Sequence, residues 1–146
     1  MPKKQNRTGR SQINKLRRGN RELEDREHST RKPRLVISFQ NLDPNQGQSF
    51  DEWQEIGLAA QLLKRLQQVC SLTPQDALAQ QIIKNYSKVD FPPNSKFVYP
   101  KHIPEGVTWC VMHLQGKEVV AGYIRDNIFH IVFLDKDHEF WPTKKK

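Results

Sequence analysis

The stretch GVTWCVMHLQGKEVVAGYIRDNIFHIVFLDKDHEFW, residues 106–141, decides the fold. Three runs rich in Val, Ile, Phe, Tyr and Trp are separated by Gln115–Gly116–Lys117 and by Asp126–Asn127. Short polar turns between β-forming runs are typical of hairpins, and neither turn leaves room for a crossover helix. The stretch therefore predicts a three-stranded antiparallel meander.

The Asp126–Asn127 turn fixes a register for the second hairpin. Asp and Asn tolerate the positive φ that the two central residues of a tight hairpin turn require. Side chains that face each other across the two strands then alternate between the two faces of the sheet. The predicted pairs are Arg125 with Ile128, Ile124 with Phe129, Tyr123 with His130, Gly122 with Ile131, Ala121 with Val132 and Val120 with Phe133.

The two faces of this meander differ in character. One face is bulky and almost wholly apolar, which predicts the core face; its members are Trp109, Val111, His113, Val120, Gly122, Ile124, Phe129, Ile131 and Phe133. The other face holds the cross-strand pair Tyr123 and His130, with Arg125 two residues along. Polar residues of these types are also common on an ordinary wet sheet face. We expect this second face to be open to solvent or to a ligand.

Two helix starts precede the meander. Ser49 and Glu52 form a capping box, in which the Ser oxygen meets a free amide of the first turn. Thr73 caps a second start, immediately before a proline whose φ is preset for the first helical position. Apolar residues recur at intervals of three or four after both starts, which predicts helices over residues 49–71 and 73–87.

The order of elements predicts an α+β fold. A compact apolar run at residues 34–43 indicates a strand, and four prolines within residues 88–106 indicate an irregular connection with a short edge strand at 97–99. The expected architecture is two helices packed on one face of a four-stranded, mainly antiparallel sheet, in the order β-α-α-β-β-β. It forms one domain over residues 34–141, followed by a basic tail at 142–146.

The positive charge of the chain is concentrated at its N-terminus. Residues 1–34 contain twelve Lys or Arg against four Asp or Glu, while residues 35–146 contain twelve of each. Few large apolar residues accompany these charges, so burial cannot offset chain entropy, and we predict a disordered basic arm over residues 1–33. A mobile segment of this charge suits a phosphate backbone, although a purely solubilising tail has the same composition. The candidate nucleic-acid-binding residues are Lys3, Lys4, Arg7, Arg10, Lys15, Arg17, Arg18, Arg21 and, outside the arm, Lys117.

Several classes of protein are excluded. No apolar run is long enough for a membrane span or a secretory signal, so we expect a soluble, cytoplasmic protein without a membrane partner. The two cysteines, Cys70 and Cys110, lack the spacing of a metal site or a redox motif. The acidic residues and His138 of DKDHEF, residues 135–140, alternate between opposite sides of a continuing strand, so we expect no metal site there. Nucleotide-binding and hydrolase signatures are absent from the sequence, and we expect no cofactor.

The predicted β-α-α-β-β-β order, the size and the histidine-bearing end of the last strand resemble the RelE/ParE superfamily of small bacterial toxins, over about residues 34–141. Ribonuclease members of that superfamily cut messenger RNA without a metal. The resemblance implies an endoribonuclease whose basic residues and a Tyr or His transfer protons on the concave sheet face. The positions that it implies are Tyr123, Arg125, His130, Lys136 and His138.

Two functions remain as hypotheses. The first is a metal-independent endoribonuclease of toxin type, acting on RNA by general acid–base chemistry. The second is a non-catalytic module that binds nucleic acid or a ribosome through the arm and docks a protein on the second sheet face. An antitoxin-like partner is compatible with both. Eight residues of extended strand, about 26 Å, separate His130 from His138, so the candidate residues form two clusters; we favour the one with Lys136, His138 and Lys117.

Overall fold

A computed structural model describes residues 3–30, 32–85 and 91–142, with side chains described over 9–23, 32–85 and 91–142. The chain divides into two compact units, Met1–Pro33 and Arg34–Lys146. No helix among the described residues combines the length and the hydropathy that crossing a membrane requires. The basic tail predicted at the C-terminus lies outside the described residues, apart from its first residue.

The first unit is a helix, α1, at Lys3–Thr30. The structure therefore differs from the predicted disordered arm. That prediction assumed that order requires burial, whereas a helix of 28 residues is longer than the roughly 12–15 residues below which an isolated helix is marginal. Its sequence lacks an internal proline and contains six Arg, three Lys and three Glu, which are good helix formers. Its large apolar side chains are exposed, namely those of Ile13, Leu16 and Leu23.

The second unit has a five-stranded sheet, and the predicted α+β class is confirmed. The strands lie in the order β1-β5-β4-β3-β2, with β1 parallel to β5 and the other neighbours antiparallel. The elements are β1 at Val36–Ser38, α2 at Phe50–Glu55, α3 at Ala59–Val69, α4 at Pro74–Ala79, β2 at Ile83–Asn85, β3 at Trp109–His113, β4 at Val119–Arg125 and β5 at Ile128–Asp135.

Both predicted helix starts are present, but the helices are shorter than predicted. The Ser49 hydroxyl accepts a hydrogen bond from the Glu52 amide at 3.1 Å, and Thr73 caps α4 in the same way. The first helix breaks at Gly57, whose φ of +79° is a conformation that glycine adopts readily. α2 and α3 thus replace one continuous helix.

The second predicted helix, over residues 73–87, is wrong beyond Ala79. Gln81 turns the chain with a φ of +60°, and the next residues form β2 along the edge of the sheet beside β3. Paired β-branched isoleucines favour a strand over a helix, which explains the fifth strand. The last residues of the predicted helix, 86 and 87, lie outside the described residues. The edge strand predicted at 97–99 is not a strand in the structure.

The predicted register of the second hairpin is confirmed from the turn as far as Gly122. Arg125 faces Ile128 and Tyr123 faces His130, as the Asp126–Asn127 turn predicts. A bulge between Ala121 and Gly122 then shifts the register by one residue, so the last two predicted pairs are wrong. The observed pairs beyond the bulge are Ala121 with Phe133, Val120 with Leu134 and Val119 with Asp135.

The face predicted for β3 is also wrong. Trp109 faces Tyr123 and His113 faces Val119, because the turn between β3 and β4 has three residues between the paired ends Leu114 and Glu118. The Leu114 amide donates to the Glu118 carbonyl across this turn at 3.0 Å. A three-residue loop shifts the pairing of β3 with β4 by one residue compared with a two-residue loop. Every β3 side chain then projects from the opposite face of the sheet. Trp109, Val111 and His113 therefore share the face of Tyr123.

Both faces of the sheet are covered. The helices pack on one face, around Trp53, Leu62, Met112, Phe129 and Ile131. The other face was predicted to be open, and that prediction is wrong. An aromatic cluster covers it, in which the Trp109 and Phe133 rings stack 5.8 Å apart. Residues of the proline-rich connection and of the C-terminal end complete this cluster, namely Phe91, Phe97, Tyr99, Ile103, Val107, Phe140 and Trp141.

The second sheet face, on which the non-catalytic hypothesis docks a protein, consequently offers no exposed apolar surface at Met112, Leu114, Val119, Val132 or Leu134. Met112, Leu114 and Leu134 belong to the helix-side core, and Val119 and Val132 lie beneath the aromatic cluster. All five are at most 4% exposed. A proline-rich run with aromatic and apolar anchors can cover a sheet without forming a strand of its own.

Candidate functional site

The candidate residues of the second unit fall into two clusters, as the strand length predicts. The Tyr123 cluster lies beside the Asp126–Asn127 turn. The His138 cluster lies at the other end of β4, beside the Gln115–Gly116–Lys117 turn. A third group of candidates lies on α1.

The Tyr123 cluster is a packed network. The Tyr123 and His130 rings stack with centroids 4.7 Å apart. The Tyr123 hydroxyl accepts a hydrogen bond from Asn41 Nδ2 at 2.7 Å, and the Asn41 carbonyl oxygen lies 2.8 Å from His102 Nε2. Tyr123 is only 2% exposed. The network ties two loops to the sheet and leaves the phenol little access to a substrate.

The pKa of His130 also reflects the packing of this cluster. Burial, and secondarily the Arg125 charge, lower the pKa of His130, which disfavours its protonated form. Its Nδ1 is buried and has no hydrogen-bond partner among the described residues. Arg125 itself is exposed. Asn41 and His102 were missed by sequence reasoning, because both come from loops whose packing no periodic pattern reveals.

The His138 cluster begins with a buried carboxylate. Asp135 ends β5, is 1% exposed and accepts hydrogen bonds from the backbone amides of Glu139 at 2.9 Å and Phe140 at 2.7 Å. The turn that it closes places His138 at a φ of +58°, a left-handed conformation that is uncommon outside glycine. Burial raises the pKa of Asp135, and the two backbone amides oppose that shift.

His113 joins this cluster because β3 faces the opposite way from the prediction. The His113 and His138 rings lie 5.7 Å apart. Lys117, in the neighbouring turn, forms an ion pair of 3.3 Å with Asp137. A three-residue turn was the signal in the sequence that could have placed His113 here. The cluster therefore combines two imidazoles with a lysine and a carboxylate.

Burial is the first cause of a lowered pKa at His113, and the charges of Lys84, His138 and Arg65 lower it further. Arg65 is fixed at this end of the sheet, since its Nη2 donates to the Leu114 carbonyl at 3.5 Å and its Nη1 to Gln68 Oε1 at 2.8 Å. Lys84 and Arg65 thus place two permanent positive charges near the imidazole. His113 Nε2 is buried and has no hydrogen-bond partner within the described part of the chain.

Lys136, the remaining candidate, is held through its backbone. Its amide donates to Gln48 Oε1 at 2.7 Å, and the same oxygen accepts from Trp53 Nε1 at 3.0 Å. The side chain of Lys136 is half-buried. The structure does not bring Lys136 into contact with His138, so it contributes to this cluster only as a neighbour in the chain.

The candidate residues of α1 form a basic face. Five are described, and all are exposed and form no ion pair with another described side chain: Arg10, Lys15, Arg17, Arg18 and Arg21. At about 100° per residue, these five project over one side of the helix, and Ile13, Leu16 and Leu23 project over the opposite side. The side chains of Lys3, Lys4 and Arg7 lie outside the described residues.

No three His, Cys, Asp or Glu side chains in the described ranges are grouped so that they could hold a metal ion. The chain was also compared with protein-family models, with curated proteins and with solved structures, and no match was found in any of the three comparisons.

Proposed function

We propose that the protein binds nucleic acid, and RNA in particular, through the basic face of α1. The observation that carries this proposal is the exposure of Arg10, Lys15, Arg17, Arg18 and Arg21 on one side of a helix, without ion pairs to described residues. When unpaired cations neutralise phosphates, counterions condensed on the nucleic acid are released. This release supplies most of the affinity of non-specific binding.

The geometry of the helix suits a phosphate backbone. Residues 10 and 21 lie about 16 Å apart along a helix axis at 1.5 Å per residue. Phosphates of one strand of a duplex follow each other at about 3.4 Å along the axis, so the basic face spans about five of them. The proposed binding is independent of base sequence, because phosphate contacts carry no sequence information.

The test is a titration of RNA binding against salt for three forms of the full chain. Replacing Arg10, Arg17 and Arg21 by Gln should flatten the plot of log affinity against log salt by about 2 to 3 in slope, since each phosphate contact contributes about 0.7–0.9. The matched control replaces Ile13, Leu16 and Leu23 by Ala on the opposite side of the helix. It should leave the slope unchanged.

Two results would contradict the proposal. The first is an affinity that does not respond to salt between about 50 and 200 mM, where several phosphate contacts should cost orders of magnitude. The second is an equal loss in the arginine variant and the apolar control. Deleting residues 1–32 should remove this salt-dependent affinity. The same titration with DNA in place of RNA compares the two kinds of nucleic acid.

A second candidate function is a metal-independent endoribonuclease of the RelE/ParE toxin type. The proximity of His113 to His138, 5.7 Å between ring centroids, with Lys117 in the adjacent turn, favours it. One imidazole can take the proton of a ribose 2′-hydroxyl while the other protonates the leaving oxygen, and a lysine can stabilise the phosphorane. In this case we expect an antitoxin-like protein to bind and silence the enzyme in a bacterial cytoplasm.

The Tyr123 cluster supports this second function less well. Tyr123 is buried and its hydroxyl is occupied by Asn41. Arg125 is the one exposed member of that cluster among Tyr123, Arg125 and His130. A ribonuclease acting through this cluster would have to move a loop first, whereas His138 is half-buried and Lys117 is exposed.

A further inference from the structure

The edge strand β2 brings a lysine to the His138 cluster. Lys84 faces Val111 across the β2–β3 pair, so both side chains project on the face that His113 also occupies. His113 is the diagonal neighbour of Lys84, at a separation that a long side chain spans. The placement follows from backbone pairing alone, and Lys84 is half-buried rather than fully solvated.

The backbone conformation of residue 138 directs the His138 side chain toward His113. Its left-handed conformation, with φ at +58°, is fixed by the two amide hydrogen bonds to the buried Asp135. A non-glycine residue held in this region costs free energy and is found more often where a side chain must be aimed. His138 is aimed at His113, 5.7 Å away.

We propose that Lys84, His113 and His138 form a binding site for a phosphate group. The ligand chemistry is that of a tetrahedral oxyanion, either free inorganic phosphate or a phosphate of an RNA chain. The site uses residues of the second unit only, so it does not rest on the proposed function of α1; it shares His113 and His138 with the ribonuclease candidate, whose phosphate-binding part it specifies.

The surrounding charges favour an anion. Arg65 approaches from α3, where it donates to the Leu114 carbonyl, and Lys117 approaches from the β3–β4 turn. Four carboxylates lie at this end of the sheet. Asp137 is paired with Lys117 at 3.3 Å, Glu139 is paired with Lys96 at 3.4 Å, and Glu118 accepts the Gly116 amide at 3.0 Å. Asp135 is buried with its oxygens accepting backbone amides, and its charge interacts with His138. Among the described side chains, Lys84 and Arg65 form no ion pair with a carboxylate.

The state of His113 in the free protein also fits an anionic ligand. Burial is the first cause of its lowered pKa, and the charges of Lys84, His138 and Arg65 lower the pKa further. Its buried Nε2 has no hydrogen-bond partner among the described atoms. An anion would reverse the electrostatic part of that shift, because an opposite charge within about 4–6 Å favours the protonated form. Binding and protonation of His113 are thereby coupled.

The test follows the imidazole resonances of the full-length protein by NMR across pH. Inorganic phosphate should raise the pKa of His113 by about one unit relative to chloride at equal ionic strength, and it should shift the ring resonances of His138. His102 serves as the internal reference, since its Nε2 already contacts the Asn41 carbonyl. A second experiment repeats the same NMR measurement with a short RNA oligonucleotide in place of phosphate. It uses the variant in which Arg10, Arg17 and Arg21 are replaced by Gln.

The lysine is tested by a matched pair of variants. Lys84→Gln should reduce the phosphate-induced shift at His113 several-fold, whereas Lys64→Gln, at an exposed position of α3, should leave it unchanged. A response to phosphate alone assigns a free anion, and a response to RNA alone assigns a phosphodiester. Equal titration of His113 in phosphate, chloride and RNA, with unshifted ring resonances of His138, would overturn the site. That result would leave salt-dependent binding by α1 unaffected.

Discussion

The carboxylate of Asp135 accepts a hydrogen bond from the backbone amide of Phe140 at 2.7 Å. This contact joins the last residue of β5 to the aromatic cluster, in which Phe140 is fully buried. With the second bond, from the Glu139 amide, it closes the turn that carries His138. One buried side chain thus links the core to the candidate site.

Removing this carboxylate should destabilise the protein. Each hydrogen bond to a charged group contributes about 1.5–3 kcal/mol, so Asp135→Ala should lower the free energy of unfolding by about 3 kcal/mol or more. Urea denaturation measures the change. Asp137→Ala is the control, since the exposed ion pair of Asp137 with Lys117 should contribute at most about 1 kcal/mol. Equal losses in the two variants would contradict the role given to Asp135.

The pH dependence of stability should also report on Asp135. Because burial raises its pKa in the folded state, the folded protein binds more protons than the unfolded chain above the ordinary value of 3.8. The contribution of Asp135 is therefore fully present below that value and decreases as the pH rises through the folded-state pKa. The difference in unfolding free energy between the wild type and Asp135→Asn should shrink over this range. A difference that grows with pH would mean that the two amides outweigh burial.

The bulge in β4–β5 depends on Gly122. A Cβ at this position would lie 1.9 Å from the His130 carbonyl oxygen and 2.9 Å from its carbon, and both are backbone atoms that cannot turn away. Gly122→Ala should therefore cost more than about 3 kcal/mol of stability or prevent folding. Gly19→Ala is the matched control, because a Cβ at Gly19 would have no neighbour within 4 Å. The control should be neutral or slightly stabilising, and a tolerated Gly122→Ala would show that the strands can separate at the bulge.

The sequence predicts those parts of the fold that are determined by residues close together in the chain. The Asp126–Asn127 turn determines its own hairpin, so the pairing of Tyr123 with His130 was predictable. The bulge beyond Gly122 was not, because it arises from packing of Val132 and Phe133 into one aromatic cluster. The same cluster contains residues of the proline-rich connection. The sequence of that connection has no periodic pattern, so its packing on the sheet could not be predicted.

The candidate site shows the same division. The separation of His130 from His138 followed from strand length alone. The meeting of His113 with His138 required the face of β3, which the length of the Gln115–Gly116–Lys117 turn decides. Placing Lys84 beside this site required the prediction of β2. The two isoleucines around its start, Ile82 and Ile83, are equally compatible with the end of a helix. Contacts between distant segments therefore account for most of what sequence reasoning missed.

The ribonuclease hypothesis is tested at His138. His138→Asn should abolish RNA cleavage, because it removes the acid–base group, while it costs less than about 0.5 kcal/mol since Asn tolerates the left-handed backbone. Tyr123→Phe should retain cleavage although it loses the hydrogen bond with Asn41, worth about 1 kcal/mol.

Growth arrest on expression and cleavage of RNA by the purified chain are the two measurements for these variants. Deletion of residues 1–30 should leave the growth arrest in place if the second unit is the enzyme. Full activity of the His138→Asn variant would transfer the catalytic role to the Tyr123 cluster. A wild type without activity on RNA, with and without added metal, would exclude the ribonuclease and leave nucleic-acid binding by α1 as the function to be pursued.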